Sequence, residues 1–513
     1  MKDSFTQSMD WLHTWAGLVF GWLLFAIFLT GTLTVFDKEI TYWMQPELHG
    51  VRPSPVNLQA AGDQLARLAP RAEEWWIELP HFRTPEVTIS WQNPGEKDQG
   101  QRKLDPGTGE ILTVRDTRGG DFFYRFHYQL HLERLGTWIV GAAALVMLVT
   151  LIAGIVIHRR IFKDFFTFRP EASYHRSWLD AHNATGVLLL PFHFVITFTG
   201  LVIFWMIYVP GGVDALYGGA FEEMLVEVEE RLDRQRADVP APLNSLAALE
   251  RQARTHWNGG TTEWVQVKHP GDVHALVDVM RRADDRLALI SDRVTFDGTT
   301  GEVLKVWKGG KPAFLTYSVL IGLHYLWFDH LTIRWLYFLM GLTGSATIAT
   351  GLLLWLIKRK EQHAENHKTH RIVEILNVAV IAGLPVAIAG FFWGNRLWPW
   401  DLPERATWEM RTFFLLWILC GVHGLLRRDS LRAWKEQLTV AALLFVLLPL
   451  LNLMTTSSHI FVTLPAGNWR LASVDLVCFI TGTLLFGIAW RTVKASRSLP
   501  QAISTPMTEA GHG

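Results

Sequence analysis

Eight long apolar runs dominate the sequence, and they limit how the chain can fold more than any other feature. A backbone inside a bilayer has no water to satisfy its polar groups, so such runs predict membrane-spanning α-helices. At a rise of about 1.5 Å per residue, about 20 residues cross the hydrocarbon core. The sixth and seventh runs are short, yet the pattern as a whole predicts an all-α polytopic membrane protein with about eight transmembrane helices. The runs lie near residues 12–36, 137–158, 183–208, 333–357, 373–393, 411–426, 438–454 and 471–490.

The composition supports a membrane protein and excludes several other classes. Hydrophobic residues make up 49% of the chain, charged residues only 19%, and 24 Trp are present, which is typical of a protein surrounded by lipid with aromatic belts at both interfaces. A formal net charge of +0 without a basic tract gives no reason to expect nucleic acid as a partner. Cys420 and Cys478 fall inside apolar runs, so neither a disulfide framework nor a CxxC metal or redox site is expected.

Basic residues in the short loops predict the orientation of the helices. Clusters follow the second, fourth, sixth and eighth runs, so all of them fall on one side of the membrane. The positive-inside rule makes that side cytoplasmic, together with both termini, and puts the long loops near 37–130 and 209–320 outside. The polar N-terminus lacks a small-residue cleavage site, which predicts a retained first helix. The clusters are Arg159, Arg160, Lys163, Arg169 and Arg176; Lys358, Arg359, Lys360, Lys368 and Arg371; Arg427, Arg428, Arg432 and Lys435; and Arg491, Lys494 and Arg497.

The first four runs belong to an internal repeat. At an offset of 169 residues, His13 and Gly17 fall on His182 and Gly186, and Thr30-Gly31 falls on Thr199-Gly200. At an offset of 192, residues 104–112 (LDPGTGEIL) fall on residues 296–304 (FDGTTGEVL), and each segment has a strand-turn-strand signature. At an offset of 197, His127-Tyr128 falls on His324-Tyr325, Trp138 on Trp335, and Gly154 on Gly351. The order helix, outer domain, helix is thus used twice.

The repeat predicts the domain organisation. Each outer loop also contains a helix-like stretch, residues 58–69 in the first and 243–256 in the second, so each is expected to form a small α+β domain. The runs after residue 371 show no repeat, and they suggest no chemistry. The predicted units are a first repeat (1–160) with outer domain 37–125, a second repeat (161–358) with outer domain 211–312, a C-terminal four-helix membrane region (372–491) and a cytoplasmic tail (492–513).

These motifs together resemble the PepSY-associated transmembrane family. The resemblance rests on LHTWAG at 12–17, the two Asp-x-x-Thr-Gly-Glu turns, FHY at 126–128 with LHY at 323–325, and the two Thr-Gly pairs, and it covers about residues 10–358. That family includes bacterial inner-membrane iron-regulated proteins and ferric-siderophore reductases with b-type haem between their helices. The resemblance implies two PepSY-like periplasmic domains and a multi-pass protein of the bacterial inner membrane.

Four of the 20 histidines are repeated and begin or precede a span: His13, His182, His127 and His324. His13 and His182 begin odd-numbered spans near the cytoplasmic face, whereas His127 and His324 precede even-numbered spans near the outer face. A pseudo-two-fold axis along the membrane normal would bring each pair face to face. Two opposed neutral imidazoles are good axial ligands for haem iron and leave no open position, which favours electron transfer. Haem b, expected in two copies, is therefore the predicted cofactor.

Other histidines leave alternatives open. His193 lies 11 residues after His182, about 16 Å deeper along a straight helix, and an ionisable residue there is a candidate ligand, relay or bonded partner. His131 would share a helical face with His127 at i+4 and is a second candidate outer ligand. His158 and His423 are weaker candidates. His13, Gly17 and Gly21 share one helical stripe, which would let a flat macrocycle approach the backbone. The simpler alternative is that the imidazoles cap helices or bind lipid headgroups.

The predicted function is a transmembrane electron path. A cytoplasmic or quinol donor would reduce the inner haem, the outer haem would follow, and a periplasmic ferric siderophore or other ferric chelate would accept the electron and release iron. No Rossmann fingerprint follows a predicted strand, so a donor partner is expected. Two alternatives remain: a non-enzymatic PepSY-domain protein that binds or regulates an envelope partner, and a siderophore or iron transporter.

Overall fold

The computed structural model describes residues 2–96, 99–158, 174–257, 259–327, 330–361 and 367–498. By length and apolarity, seven of its helices could cross a membrane, and a bent helix pair makes eight if it counts as one span. The prediction of a polytopic membrane protein is confirmed. The basic loop residues 159–169, used to predict orientation, lie outside the described residues, as does most of the tail.

The first repeat runs from one long helix through a four-stranded meander to a second long helix. Between them, short helices connect the membrane to the strands. The elements are α1 (Lys2–Thr34), α2 (Asp37–Met44), a 3-10 turn (Pro46–Leu48), α3 (Leu58–Leu68), β1 (Glu74–Glu78), β2 (Val87–Gln92), β3 (Gly100–Leu104), β4 (Ile111–Leu112), α4 (Asp121–Gln129) and α5 (Glu133–Ile157).

The second repeat follows the same order, with two extra short helices ahead of its strands. Its elements are α6 (Tyr174–Leu188), α7 (Leu190–Ile203), α8 (Trp205–Tyr208), α9 (Gly211–Tyr217), α10 (Phe221–Val228), α11 (Leu246–Arg254), β5 (Thr262–Lys268), β6 (Leu276–Arg281), β7 (Arg293–Asp297), β8 (Val303–Trp307), α12 (Pro312–Tyr325) and α13 (Leu331–Glu361).

The third span is broken, so the prediction of one continuous helix over 183–208 is wrong. The chain bends by 63° between His175–Leu188 and Leu190–Ile203. Pro191 lies in the first turn of α7, where its missing N–H and fixed φ favour a helix start and disfavour a helix interior. The expected depth of His193 assumed a straight helix, and the bend invalidates that figure.

The C-terminal region contributes four spans that begin earlier than their apolar runs. The sixth and seventh spans are full-length helices, because their first turns carry charged residues that interrupt the apolar pattern without interrupting the helix. The elements are α14 (His367–Asn377), a π-helical turn (Val378–Ala382), α15 (Gly383–Leu397), α16 (Arg405–Leu426), α17 (Ser430–Thr455), α18 (Ile460–Thr463) and α19 (Trp469–Ser498). The last helix therefore extends into residues expected to be tail.

The two meanders form one antiparallel eight-stranded sheet, in the order β4-β3-β2-β1-β5-β6-β7-β8. Strands β1 and β5 join the halves, with Glu74 opposite Lys268 and Glu78 opposite Trp264. Each meander alone would leave one of these strands as an unpaired edge. The pairing of β1 with β5 provides hydrogen-bond partners for the backbone N–H and C=O groups of both strands. Helices α3 and α11 cover the apolar face of this joined sheet. The sequence predicted two α+β units but gave no sign of this seam.

The repeated turns have the same hydrogen bonds in both halves. Asp105 Oδ1 accepts from the backbone N–H of Gly107 at 2.9 Å and of Thr108 at 3.0 Å. Asp297 Oδ1 accepts from Thr299 N at 3.1 Å and Thr300 N at 3.0 Å. Each turn joins two antiparallel strands, β3 to β4 and β7 to β8. The strand-turn-strand prediction is therefore confirmed in both halves.

A buried polar network ties the C-terminal helices to the first outer loop. The Arg396 guanidinium donates to Trp43 O at 2.6 Å and to Asn452 Oδ1 at 2.9 Å, and it lies 3.8 Å from the Trp43 ring centroid. Trp43 in turn donates from its indole N–H to Asp475 Oδ1 at 3.0 Å. These hydrogen bonds hold α2 against α15, α17 and α19.

A second half of the network centres on Glu409, which is 0% exposed. Its carboxylate accepts from Thr117 Oγ1 at 2.6 Å and Asn395 Nδ2 at 2.7 Å, and it pairs with Arg405. Arg405, also 0% exposed, donates to Asp116 O at 3.0 Å. Thr117 and Asp116 belong to the segment before α4, so the C-terminal region fixes the chain that leads to His127.

Candidate functional site

The four repeated histidines lie in the two expected pairs. The ring centroids of His13 and His182 are 6.4 Å apart with the planes at 74°. Those of His127 and His324 are 6.0 Å apart with the planes at 27°. We call these the inner pair and the outer pair. Each pair takes one residue from each repeat, as a two-fold axis between the repeats requires.

Hydrogen bonds fix the rings of the inner pair. His13 Nδ1 lies 2.9 Å from Thr150 O, and His182 Nδ1 lies 2.9 Å from Thr347 O. A carbonyl oxygen can only accept, so each Nδ1 carries a proton, and in the neutral imidazole Nε2 then keeps the lone pair. Thr150 and Thr347 are themselves repeat equivalents at the 197-residue offset. The chain therefore presents two imidazoles in the tautomer that a metal requires.

The outer pair is held in the same way. His127 Nδ1 donates to Ile27 O at 2.9 Å. His324 Nδ1 lies 3.1 Å from Thr199 Oγ1, which accepts because its own proton goes to Val195 O at 2.7 Å. As in the inner pair, Nδ1 of each ring is engaged in a hydrogen bond and Nε2 is left to face the partner ring.

A glycine on the neighbouring helix makes room for each ring. A Cβ built on Gly31 would lie 2.5 Å from His127 Nδ1, and one on Gly200 would lie 3.0 Å from His324 Cε1. The inner pair repeats the arrangement: Gly154 would meet His13 Cε1 at 3.3 Å and Gly351 would meet His182 Cε1 at 3.1 Å. These are the repeated glycines of the sequence, and their role is to admit the histidines.

The predicted glycine stripe on α1 is only partly open. A Cβ on Gly17 would meet nothing closer than Thr150 Cγ2 at 4.0 Å. A Cβ on Gly21 would lie 2.7 Å from Leu352 Cδ2. Gly21 therefore serves the packing of α1 against α13, while its place beside a macrocycle stays a prediction.

Gly31→Ala should weaken the outer pair. The new methyl group would overlap the His127 ring, which is held by its bond to Ile27, so we expect a loss of about 1–3 kcal/mol of stability. Thermal unfolding of the purified protein in detergent measures this loss. Gly421→Ala is the matched control, since a Cβ there meets no heavy atom within 4 Å. Equal melting temperatures for the two variants would contradict the proposed role of Gly31.

A cavity of about 1050 Å³ joins the outer pair to the sheet. Its inner end is apolar and includes Leu24, Phe28 and Met147. Above His127 and His324 lie Tyr124 and Tyr325, whose hydroxyl oxygens are 2.7 Å apart. The outer pair is thus reached from the extramembrane side through a space lined first by charged and then by aromatic side chains.

Glu39 organises the charged part of this cavity. It accepts from Arg83 at 2.7 Å and from Arg334 at 2.9 Å, and both guanidiniums also reach Val35 O at the end of α1. Burial by itself would raise the pKa of Glu39, but Arg83 and Arg334 together lower it to about 2. The carboxylate is therefore ionised, and the cluster joins α1, α13 and the β1–β2 loop.

The remaining candidate histidines lie elsewhere. Helix α4 ends at Gln129 and His131 has a φ of 54°, so the expected i+4 relation to His127 is wrong. His131 Nε2 lies 3.0 Å from Phe122 O, and its ring stacks on Phe122 at 4.7 Å. His158 is the C-cap residue of α5, and His423 Nε2 lies 2.8 Å from Glu436 Oε2.

His193 is buried in the membrane region, with 1% of its surface exposed. Its ring centroid lies 6.2 Å from that of Phe28 on α1. It therefore lies inside the bundle of the first four spans, and it is not a member of either pair.

Each pair suits a metal that takes two axial protein ligands and its other ligands from a cofactor. Among the described residues, no three His, Cys, Asp or Glu side chains group as a metal site. Two imidazoles on opposite sides of a metal, each about 2 Å from it, separate the ring centroids by roughly 6 Å. The observed 6.4 Å and 6.0 Å separations match that spacing. The free Nε2 atoms and the glycine clearances fit the same arrangement.

Two comparisons with known proteins extend these observations. The family model described as the PepSY-associated TM region matches residues 11–358. An uncharacterised protein of Pseudomonas aeruginosa is 26% identical over 398 residues, which cover 73% of this chain and 95% of that protein. The family match ends with α13, so it contains both histidine pairs and the whole sheet.

Proposed function

The chain belongs to the PepSY-associated transmembrane family, and from that premise we propose that it is a haem b reductase of the bacterial inner membrane, which passes electrons to a periplasmic ferric siderophore. The observation that carries the proposal is the presence of two separate pairs of facing histidines inside one helical bundle. A single pair would suffice to hold a cofactor. Two pairs at different depths favour transfer between sites.

The depth of the pairs follows from their contacts with α1. His13 lies on this helix, and His127 is bonded to Ile27 of the same helix. The 14 residues from His13 to Ile27 correspond to about 21 Å along the helix axis. Since a bilayer core is about 30 Å thick, the pairs lie towards opposite faces. Haem iron held at each pair would supply a one-electron carrier at each depth.

The residues around the outer pair fit an acceptor that approaches from outside. The cavity opens on the extramembrane side, and its walls carry both ionised groups and the hydroxyl groups of Tyr124 and Tyr325. These groups offer hydrogen bonds to a polar chelate and hold it near His127 and His324. Because ferrous iron is bound far less tightly by hard oxygen ligands than ferric iron, reduction would release it.

The inner pair requires a donor on the cytoplasmic side. His13 and His182 lie near the ends of α1 and α6 that the basic loops predict to be cytoplasmic. The Asp180 carboxylate, two residues before His182, pairs with Arg176 at 3.1 Å. We assign the donor to the class of cytoplasmic reductases or quinols, and both termini to the cytoplasm.

A visible absorption spectrum of the full-length protein, purified in detergent, tests the proposal. We expect a Soret band, with α and β bands that sharpen on addition of dithionite. Mixing the reduced protein with a ferric siderophore without oxygen should return the oxidised spectrum and form ferrous iron. A colourless protein would overturn the haem assignment and favour a PepSY-domain binding or transport protein. A coloured protein that no ferric chelate reoxidises would overturn the reductase assignment.

A further inference from the structure

The two repeats carry chemically different side chains at one level of the helical bundle, which we call the middle layer. At the repeat offsets, Leu24 on α1 corresponds to His193 on α7, and Met147 on α5 corresponds to Gly344 on α13. In the first repeat, Leu24 and Met147 belong to one apolar cluster. In the second, a polar ring faces a glycine. The symmetric scaffold thus holds an asymmetric layer.

His193 has an unsatisfied nitrogen in this layer. Its Nε2 is buried and has no hydrogen-bond partner in the described part of the chain. A Cβ on Gly344 would lie 3.1 Å from that atom, so the glycine leaves room beside it. A buried polar group without a partner costs about 1–3 kcal/mol. A leucine, as in the first repeat, would avoid that cost, so the histidine calls for a functional explanation.

The layer lies between the two pairs. Phe28, which meets the His193 ring, directly follows Ile27, whose carbonyl binds His127. The Thr199 hydroxyl, which accepts from His324 Nδ1, donates to the carbonyl of Val195, two residues after His193. His193 is therefore about one helical turn inward of the outer pair, on the side of the inner pair.

The cavity, which opens on the extramembrane side, reaches Leu24, Phe28 and Met147 of this layer. Phe28, Thr197 and Gly341 all line the cavity, and they lie on the three helices around His193. The ring itself meets Phe28 of α1, Phe192 of its own helix and Gly344 of α13, none of which titrates. A proton that reached the inner end of the cavity would therefore find His193 without a competing charged neighbour among these contacts.

We propose that His193 binds the proton that compensates the electron that a haem at the outer pair would carry, an inference that rests on the proposed function. One electron arrives from the donor, and one proton from the outer solution binds the free ring nitrogen. Both leave when the ferric acceptor is reduced, so charge and atoms balance. The physical reason is that an added negative charge in a medium of low dielectric constant strongly favours a positive charge beside it.

The test is a redox titration of the full-length, haem-loaded protein between about pH 6 and pH 8, where an imidazole titrates. We expect the midpoint potential of one haem to fall with rising pH, by up to about 59 mV for each tenfold change in proton concentration. His193→Leu, which restores the residue of the first repeat, and His193→Gln, which keeps a polar side chain, should both flatten that slope. The haem content of both variants should stay at two.

Thr343→Val is the matched control, because the Thr343 hydroxyl donates to Leu339 O within its own helix and does not line the cavity. Its slope should equal that of the unchanged protein. An unchanged slope in His193→Gln would overturn the inference while leaving the proposed function intact. Loss of a haem from both His193 variants would also overturn it, since His193 would then be a ligand. If the unchanged protein held no haem, the proposed function itself would fail.

Discussion

His127→Ala should halve the haem content of the purified protein, because the outer pair would keep only the His324 ligand while the inner pair would keep both. The same result is expected for His324→Ala, and His13→Ala and His182→Ala should each remove the other haem. The measurement is haem per protein from the pyridine haemochrome spectrum. A retained haem with one protein ligand would be high-spin, which the oxidised spectrum distinguishes.

Double variants separate the pairs. His127→Ala with His324→Ala should lose no more haem than either single variant, because both changes empty one site. His13→Ala with His127→Ala should lose both haems and abolish reduction of an external ferric siderophore. His423→Ala is the matched control, since this histidine binds Glu436 at 2.8 Å outside the bundle of the first four spans. Full haem content in all four single variants would exclude the assigned ligands.

Glu409→Ala should be the most destabilising change in the C-terminal region. It removes the partner of Arg405 and leaves a guanidinium that is 0% exposed with its charge uncompensated. Removing one member of a buried ion pair costs about 3–5 kcal/mol. Thermal unfolding in detergent should show the loss. Glu409→Gln should cost less, since an amide can still bind Thr117.

The control for this experiment is Arg432→Ala. This change breaks an exposed ion pair with Asp429 at the start of α17. Its side chain is 74% exposed, so we expect a change of at most about 1 kcal/mol. Melting temperatures within error for Glu409→Ala and Arg432→Ala would show that the buried network adds no stability. A shifted visible spectrum in Glu409→Ala would in addition link the network to His127 through Asp116 and Thr117.

The repeat was visible in the sequence because it recurs in spacing as well as residue type. The offset of 169 residues paired His13 with His182, and the offset of 197 paired His127 with His324. Helix periodicity then predicted which ends of the spans these residues occupy. The glycines that admit the rings were equally visible, but only the structure shows that Gly31 and Gly200 face the histidines.

Other features depend on contacts that no local pattern encodes. The β1–β5 seam pairs strands almost 200 residues apart, and strand patterning does not reveal the partner of an edge. His131 lies outside α4 because Leu130 and His131 adopt positive φ, which is uncommon for such residues. The break before α7 could have been predicted, since Pro191 lies within the apolar run. Arg405 and Glu409 are charged residues in the first turns of α16, so the apolar pattern did not show where this helix begins.

The β1–β5 seam makes the chain equivalent to a homodimer whose protomers cannot separate. Its contacts are isologous: the same strand of each half pairs with its counterpart, as in a two-fold dimer. Covalent linkage fixes the effective concentration of one half near the other, so assembly does not depend on expression level. It also frees the halves from sequence identity, which a true homodimer must keep. A histidine that is present in only one repeat, such as His193 where the other repeat has Leu24, is therefore accessible to a fused duplicate and inaccessible to two identical chains.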